Sequence, residues 1–236
     1  MREVMQIDAN PASVLCVHGA GGGAWEWNIW RRVFAAHGWS VSAPDLQPAA
    51  AGIAATRLQD YVQQVVARAH ATSASVLIGA SLGCLLALEV ATRVDARSLV
   101  LINPLPPAQV SPRIVARDYP DVVRWGSRRS LASTQRAMPD ADDAARLYAL
   151  RRWRDESGAV LREASAGVPI AWPQCPILVL ASECDADVPP ETSRALAAQC
   201  NAEFHVLPST SHVGPLLGAT AHAAARMTLD WIRRVA

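Results

Sequence analysis

The 236 residues predict an α/β fold, a mainly parallel sheet covered by helices on both faces. Three observations carry this reading. Short apolar runs with β-branched residues recur at 14–17, 75–78, 98–102 and 177–180, the pattern of strands buried on both sides. Stretches with apolar residues at helical spacing lie between them. The order strand, helix, strand, helix is the one that parallel neighbours need for their crossovers.

Taken in order, Val14-Leu15-Cys16-Val17 is the first strand, and a Gly-rich loop follows it. A helix carrying Trp27, Trp30, Val33 and Phe34 leads to the strand Trp39–Ala43, which Pro44-Asp45-Leu46 ends. Residues 47–55 are small and Pro/Ala-rich, and read as loop. A helix near 56–71, with Leu58, Tyr61, Val62, Val65 and Val66, runs to the strand Ser75-Val76-Leu77-Ile78. Leu85–Ala91 reads as a buried helix, and Ser98–Ile102 as the next strand.

The alternation then breaks. From Pro104 to about Pro173 there is no strand-like run, and 11 Arg stand against 8 Asp and Glu. This stretch, which holds Trp125, Trp153 and Trp172, is expected to form several short helices as a cap over the carboxyl edge of the sheet. The expected core is therefore 1–103 with 174–236, and the cap is 104–173. Alternation resumes at Ile177–Leu180; a helix near 190–199, the strand Glu203–Leu207 and a last helix near 220–234 complete the chain.

Composition narrows the function classes. A chain this long can bury a full core. Its net charge of +1 gives no sign of nucleic acid as partner. No run approaches the roughly 20 apolar residues of a spanning helix, so no membrane is expected. Residues 1–7 hold no long apolar run, so no signal peptide is expected. All 22 basic residues are Arg, which removes every Lys-based mechanism. The five cysteines are odd in number and lack C-x-x-C spacing, so reduced thiols and a cytoplasmic setting are expected. Cys84 and Cys184 flank motif residues and are expected as core filler or as backing for the site.

The chemistry centres on Gly79-Ala80-Ser81-Leu82-Gly83. Strand turns straight into helix there, with Ser at the corner and Gly two places to either side: the nucleophile elbow. A side chain at either Gly would collide with neighbouring backbone. The helix N-terminus aims free N–H groups at the serine, where negative charge would develop. Two further strand ends supply partners. The strand at 177–180 runs out into Ala181-Ser182-Glu183-Cys184-Asp185-Ala186-Asp187-Val188-Pro189, and the strand at 203–207 into Pro208-Ser209-Thr210-Ser211-His212. Acid and histidine at the carboxyl edge of an α/β sheet stand where ligands bind. Ser81 needs a base, His212 can supply it, and Asp185 would orient the ring. Asp187 and Glu183 are rival acids. Asn103 is not acidic, so the acid should come from the 183–187 turn. His18-Gly19-Ala20-Gly21-Gly22-Gly23-Ala24-Trp25 reads as an oxyanion loop; it lacks the Lys and spacing of a phosphate loop. His18 is expected to brace that loop. His37, His70, His205 and His222 have no metal-ligand spacing, and no metal is expected.

These motifs resemble the α/β-hydrolase superfamily over nearly the whole chain, and the Gly-rich loop is similar to that of the methylesterase and hydroxynitrile lyase-like branch. The α/β-hydrolase fold, with a helical cap inserted after the strand at 98–102, is what the resemblance implies. It also implies Ser81 as nucleophile, Asp185 as acid, His212 as base, and the N–H groups of Ala20 and Leu82 as oxyanion donors. No cofactor is implied. Three departures stand out: Cys84 where many relatives carry Gly, Ser182 where Gly is usual, and Val213 where the lyases carry Lys. The expected activity is hydrolysis of a small-molecule carboxylic ester, with Trp25, Trp125 and Trp153 as candidate walls of the substrate pocket. Two alternatives stand beside it: a thioesterase or methyl esterase acting on an acyl-carrier-bound acid, with an acidic acyl carrier protein that the Arg-rich cap would suit as partner, and a non-catalytic small-molecule receptor. Monomer and homodimer are both open.

Overall fold

The computed structural model describes residues 13–110 and 118–235. The expectation about the N-terminal segment falls outside them. Strands β1 (Ser13–Val17) and β2 (Ser40–Ser42) flank helix α1 (Asn28–Ala35), itself preceded by a short 3-10 turn at Ala24–Trp27. Helix α2 (Leu58–Thr72), strand β3 (Val76–Ala80), helix α3 (Leu82–Ala91) and strand β4 (Ser98–Ile102) follow.

The segment between β4 and the next strand of the main sheet holds β5 (Val122–Val123), α4 (Leu131–Ala137), α5 (Asp143–Leu150), β6 (Glu156–Ser157) and α6 (Gly158–Ala166). The sequence predicts only helices there. The antiparallel pair β5–β6 corrects that, and two residues a side are too few for an alternation signal. The chain then returns through β7 (Ile177–Ser182), α7 (Pro190–Gln199), β8 (Glu203–Leu207), the single turn α8 (Gly214–Leu217) and α9 (Ala221–Val235).

The main sheet has six strands in the order β2-β1-β3-β4-β7-β8, and every pair is parallel. Period-2 alternation divides its side chains between two cores. Leu15, Val17, Leu77, Leu99, Leu101 and Val179 face α2, α3 and α7. Val14, Cys16, Ile78, Val100, Leu178 and Leu180 face α1 and α9. Strands β3, β4 and β7 are buried along their whole length, as covered parallel strands are. Strand order reverses between β1 and β3, which opens a crevice at their carboxyl ends. The loop after β1 and the corner after β3 leave from that crevice.

Candidate active site

Strand β3 ends at Ala80, and Ser81 turns the chain into α3 with φ 52 and ψ −118. That left-handed backbone is costly for a non-Gly residue and marks a site where geometry is imposed. The flanking glycines make the corner sterically possible. A Cβ at Gly83 would lie 2.2 Å from the Val17 carbonyl oxygen, and one at Gly79 would lie 2.6 Å from Cys84 Cα. Cys84 itself fits, with its thiol donating to the Ile102 carbonyl at 3.3 Å. Burial pushes the Cys84 thiol pKa up, so it stays a protonated core group. Cys184 is exposed, against the expectation of core filler.

Asp185 and His212 leave from β7 and β8. His212 Nδ1 donates to Asp185 Oδ2 at 2.7 Å. The other carboxylate oxygen, Oδ1, accepts the backbone N–H groups of Asp187 and Val188, each at 2.8 Å. Of the two rivals, Glu183 turns away and accepts from the Ser209 N–H, while the exposed Asp187 side chain lines the same cavity as Ser81 and His212. Burial works against the His212 imidazolium. The Asp185 hydrogen bond and charge, helped by Asp187 and Glu26, outweigh it and hold the ring pKa above its ordinary value.

Ligand atoms of Asp185, Asp187 and His212 lie within 4.8 Å of one another. With both Asp185 oxygens already accepting, this donor set suits ring orientation better than a cation.

Ser81 and His212 line one cavity of about 380 Å3, together with Ala20, Trp125, Trp153 and Leu161. Its size is in the range of small-molecule sites. Trp25 lies outside that lining. It packs edge-on against Trp153 at 5.2 Å and Tyr148 at 5.8 Å, so it supports a wall instead of forming one. Among the described residues, neither Ser81 Oγ nor His212 Nε2 carries a hydrogen bond; such contacts often tighten only with substrate bound.

The Gly-rich loop is pinned from behind. Leu46 N–H donates to His18 Nε2 at 3.0 Å, so the His18 proton sits on Nδ1, which donates to the Gly19 carbonyl at 2.7 Å. Gly22 N–H donates to the same carbonyl at 3.2 Å. In a trans peptide the N–H points away from its C=O. Fixing the Gly19 carbonyl therefore fixes the direction of the Ala20 N–H. Burial lowers the His18 pKa to about 4, so the ring stays neutral. Beneath the loop lies buried Glu26, whose carboxyl burial pushes up to about 8.

Sequence reasoning missed three groups. Asn103, set aside for lacking charge, is buried with φ 48, donates to Ser182 Oγ and to the His212 carbonyl, and accepts from Ser182 N–H. This gives the unusual Ser182 a partner. Asp140 accepts both the backbone N–H and the hydroxyl of Ser211, the residue before His212. Glu156 reaches the Gly-rich loop from the inserted segment. The strand-end position of Asn103 was a usable signal. Asp140 and Glu156 gave none, because only the fold brings them near the site.

Residues 14–226 match the model of a family described as the alpha/beta hydrolase family. The chain belongs to that family. Solved structures of similar fold agree. A metagenome-derived lipolytic enzyme structure, from work on LipS and LipT, is 20% identical with TM-score 0.71, covering 94% of this chain and 93% of its own. Tomato methylketone synthase I complexed with 2-tridecanone has TM-score 0.76 at 14% identity, covering 95% of this chain and 98% of its own. A thioesterase domain from the curacin biosynthetic pathway has TM-score 0.67 at 18% identity, covering 93% and 92%. At these identities the likeness is one of fold. No curated protein matches the sequence. Among the described residues, no helix of this α/β-hydrolase is long and apolar enough to cross a membrane.

Proposed function

We propose that this α/β-hydrolase is a serine esterase that cleaves carboxylic esters through an acyl-Ser81 intermediate. The observation that carries the reading is the 2.7 Å bond from His212 Nδ1 to Asp185, with His212 and elbow Ser81 on one cavity. The ring nitrogen left free, Nε2, is the base. It takes the Ser81 proton as Oγ attacks the ester carbonyl. The carbonyl oxygen becomes an oxyanion, held by the N–H groups of Ala20 and Leu82. Leu82 opens α3, so its N–H has no acceptor within the helix. Each such donor is worth on the order of 3 kcal/mol in the transition state. The C–O bond to the alcohol breaks, and His212 gives its proton to the departing oxygen. Water then attacks the acyl-enzyme with the same base, releasing acid and free Ser81. Asp185 orients the ring and stabilises its charged form without taking the proton.

Trp125 and Trp153 are the proposed aromatic walls of the substrate pocket. Residues 104–173 are the proposed cap, and the mechanism calls for no cofactor. Thioester cleavage uses the same steps, and the curacin thioesterase shares this fold; an acyl carrier protein is the partner that version needs.

The test is hydrolysis of p-nitrophenyl esters from acetate to palmitate, beside an acyl thioester, by wild type and Ser81→Ala. Turnover that peaks at one chain length and disappears in the variant supports the reading. A folded wild type that turns over neither esters nor the thioester points to the receptor alternative.

A further inference from the structure

Both backbone groups of Gly21, next to the proposed oxyanion donor Ala20, are held by one stretch of the insertion. Gly21 N–H donates to Glu156 Oε2 at 3.1 Å, and Arg154 N–H donates to the Gly21 carbonyl at 2.8 Å. The Glu156 carboxylate is buried and is fixed on its far side. Its Oε1 accepts the Tyr61 hydroxyl and the Ser157 N–H, each at 2.8 Å. Gly21 has φ +69, and a Cβ there would lie 2.7 Å from the Trp125 ring, so the loop is shaped to fit against the insertion.

The two peptides around Ala20 are thus set from two directions. His18 and the Gly22 N–H set the Gly19–Ala20 peptide through its carbonyl. Glu156 sets the Ala20–Gly21 peptide through its N–H. An amide donor aimed at a developing charge contributes only when its direction is fixed beforehand. We infer that Glu156, with Tyr61 behind it, is a positioning residue for the oxyanion hole, acting through Gly21 on Ala20. The inference rests on the esterase reading.

The test uses Glu156→Ala, Glu156→Gln and Tyr61→Phe. Each is assayed for kcat and KM on the best p-nitrophenyl ester and for Ki of a trifluoromethyl ketone. Ser81 Oγ adds to that carbonyl and passes its proton to His212, leaving an oxyanion on the former carbonyl oxygen. Exchange of the Gly21 amide proton is followed by NMR.

For folded Glu156→Ala, kcat should fall on the order of 10- to 100-fold with KM little changed. The ketone Ki should rise in step, and Gly21 exchange should accelerate. Tyr61→Phe should shift all three readings the same way by a few-fold. A purely structural carboxylate would leave the Ki-to-KM ratio unmoved. Values of kcat and Ki within twofold of wild type in a folded Glu156→Ala would overturn the inference. If that variant does not fold, Glu156→Gln is judged by the same readings. Wild type without ester turnover sinks the esterase reading alone; Gly21 exchange in the Glu156 variants still reports whether the carboxylate holds the loop.

Discussion

Asn103 and His212 are tied directly: the Asn103 amide donates to the His212 carbonyl at 2.6 Å, from the end of β4 to the loop after β8. The same side chain grips the hydroxyl and the backbone N–H of Ser182 at the end of β7. One neutral residue therefore sets the spacing between the strand that carries the acid and the loop that carries the histidine.

Asn103→Ala should lower both stability and turnover. It leaves the buried Ser182 N–H without its acceptor, at about 1–3 kcal/mol. It also frees the His212 loop, and kcat should fall on the order of tenfold. Thermal melting and ester kinetics check both; unchanged kcat in a destabilised variant would show that the tie does not govern the histidine.

The two neighbouring acids should respond very differently. Asp185→Asn removes the charge that orients His212 and should cost on the order of 10⁴ in kcat. Asp187→Asn should cost no more than about threefold, because the His212 ring bonds to Asp185 and Asp187 contributes to that pair by its backbone N–H, which the substitution keeps. Kinetics of the two variants side by side decide the assignment, and the reverse ranking would transfer the role to Asp187.

The rate should fall on acidification at a pH above the ordinary histidine value. Despite its burial, His212 titrates above the ordinary 6.5 because the Asp185 hydrogen bond and charge, with the Asp187 charge, stabilise its proton. In the proposed mechanism only the neutral ring acts as base, so kcat/KM should decline as pH drops through the raised value. Asp187→Asn removes one of those charges and should move this limb to lower pH. A pH profile of kcat/KM for both proteins measures it.

Glu26 makes stability depend on pH. Its folded pKa, about 8 against an ordinary 4.5, means the folded state holds this proton more tightly than the unfolded chain. The associated stability is full below 4.5 and is lost as pH rises towards 8. Glu26→Gln mimics the protonated acid at every pH. Its advantage over wild type should grow between pH 5 and pH 9 by up to a few kcal/mol. Urea unfolding at both pH values tests this, and parallel profiles would rule it out.

Most of the fold is legible in the sequence because its central strands are apolar on both faces. Helix α7 and strand β8 fall where spacing puts them, at Pro190–Gln199 and Glu203–Leu207. The elbow is legible because its constraint is local: Ser81 and its two glycines are near neighbours. The Asp185–His212 contact is foreshadowed by strand ends alone. What stays hidden is long-range and polar. Tyr61, Glu156 and Gly21 lie far apart in the chain, each has an ordinary local role, and no periodicity marks their meeting. The same holds for Trp25. Its loop position suggests a pocket wall, and only packing against Tyr148 and Trp153 turns it aside.

The insertion sends Glu156 to the loop after β1 and Asp140 to the loop after β8. This makes the molecule less modular than a lid on a platform. Grafting a foreign segment between β4 and β7 exchanges more than a binding pocket. A graft without acids at these two places strands the Gly21 and Ser211 amides, so a chimera designed for new selectivity begins with a slackened catalytic frame. Recombination at this junction keeps these two anchors only when both carboxylates travel with the segment.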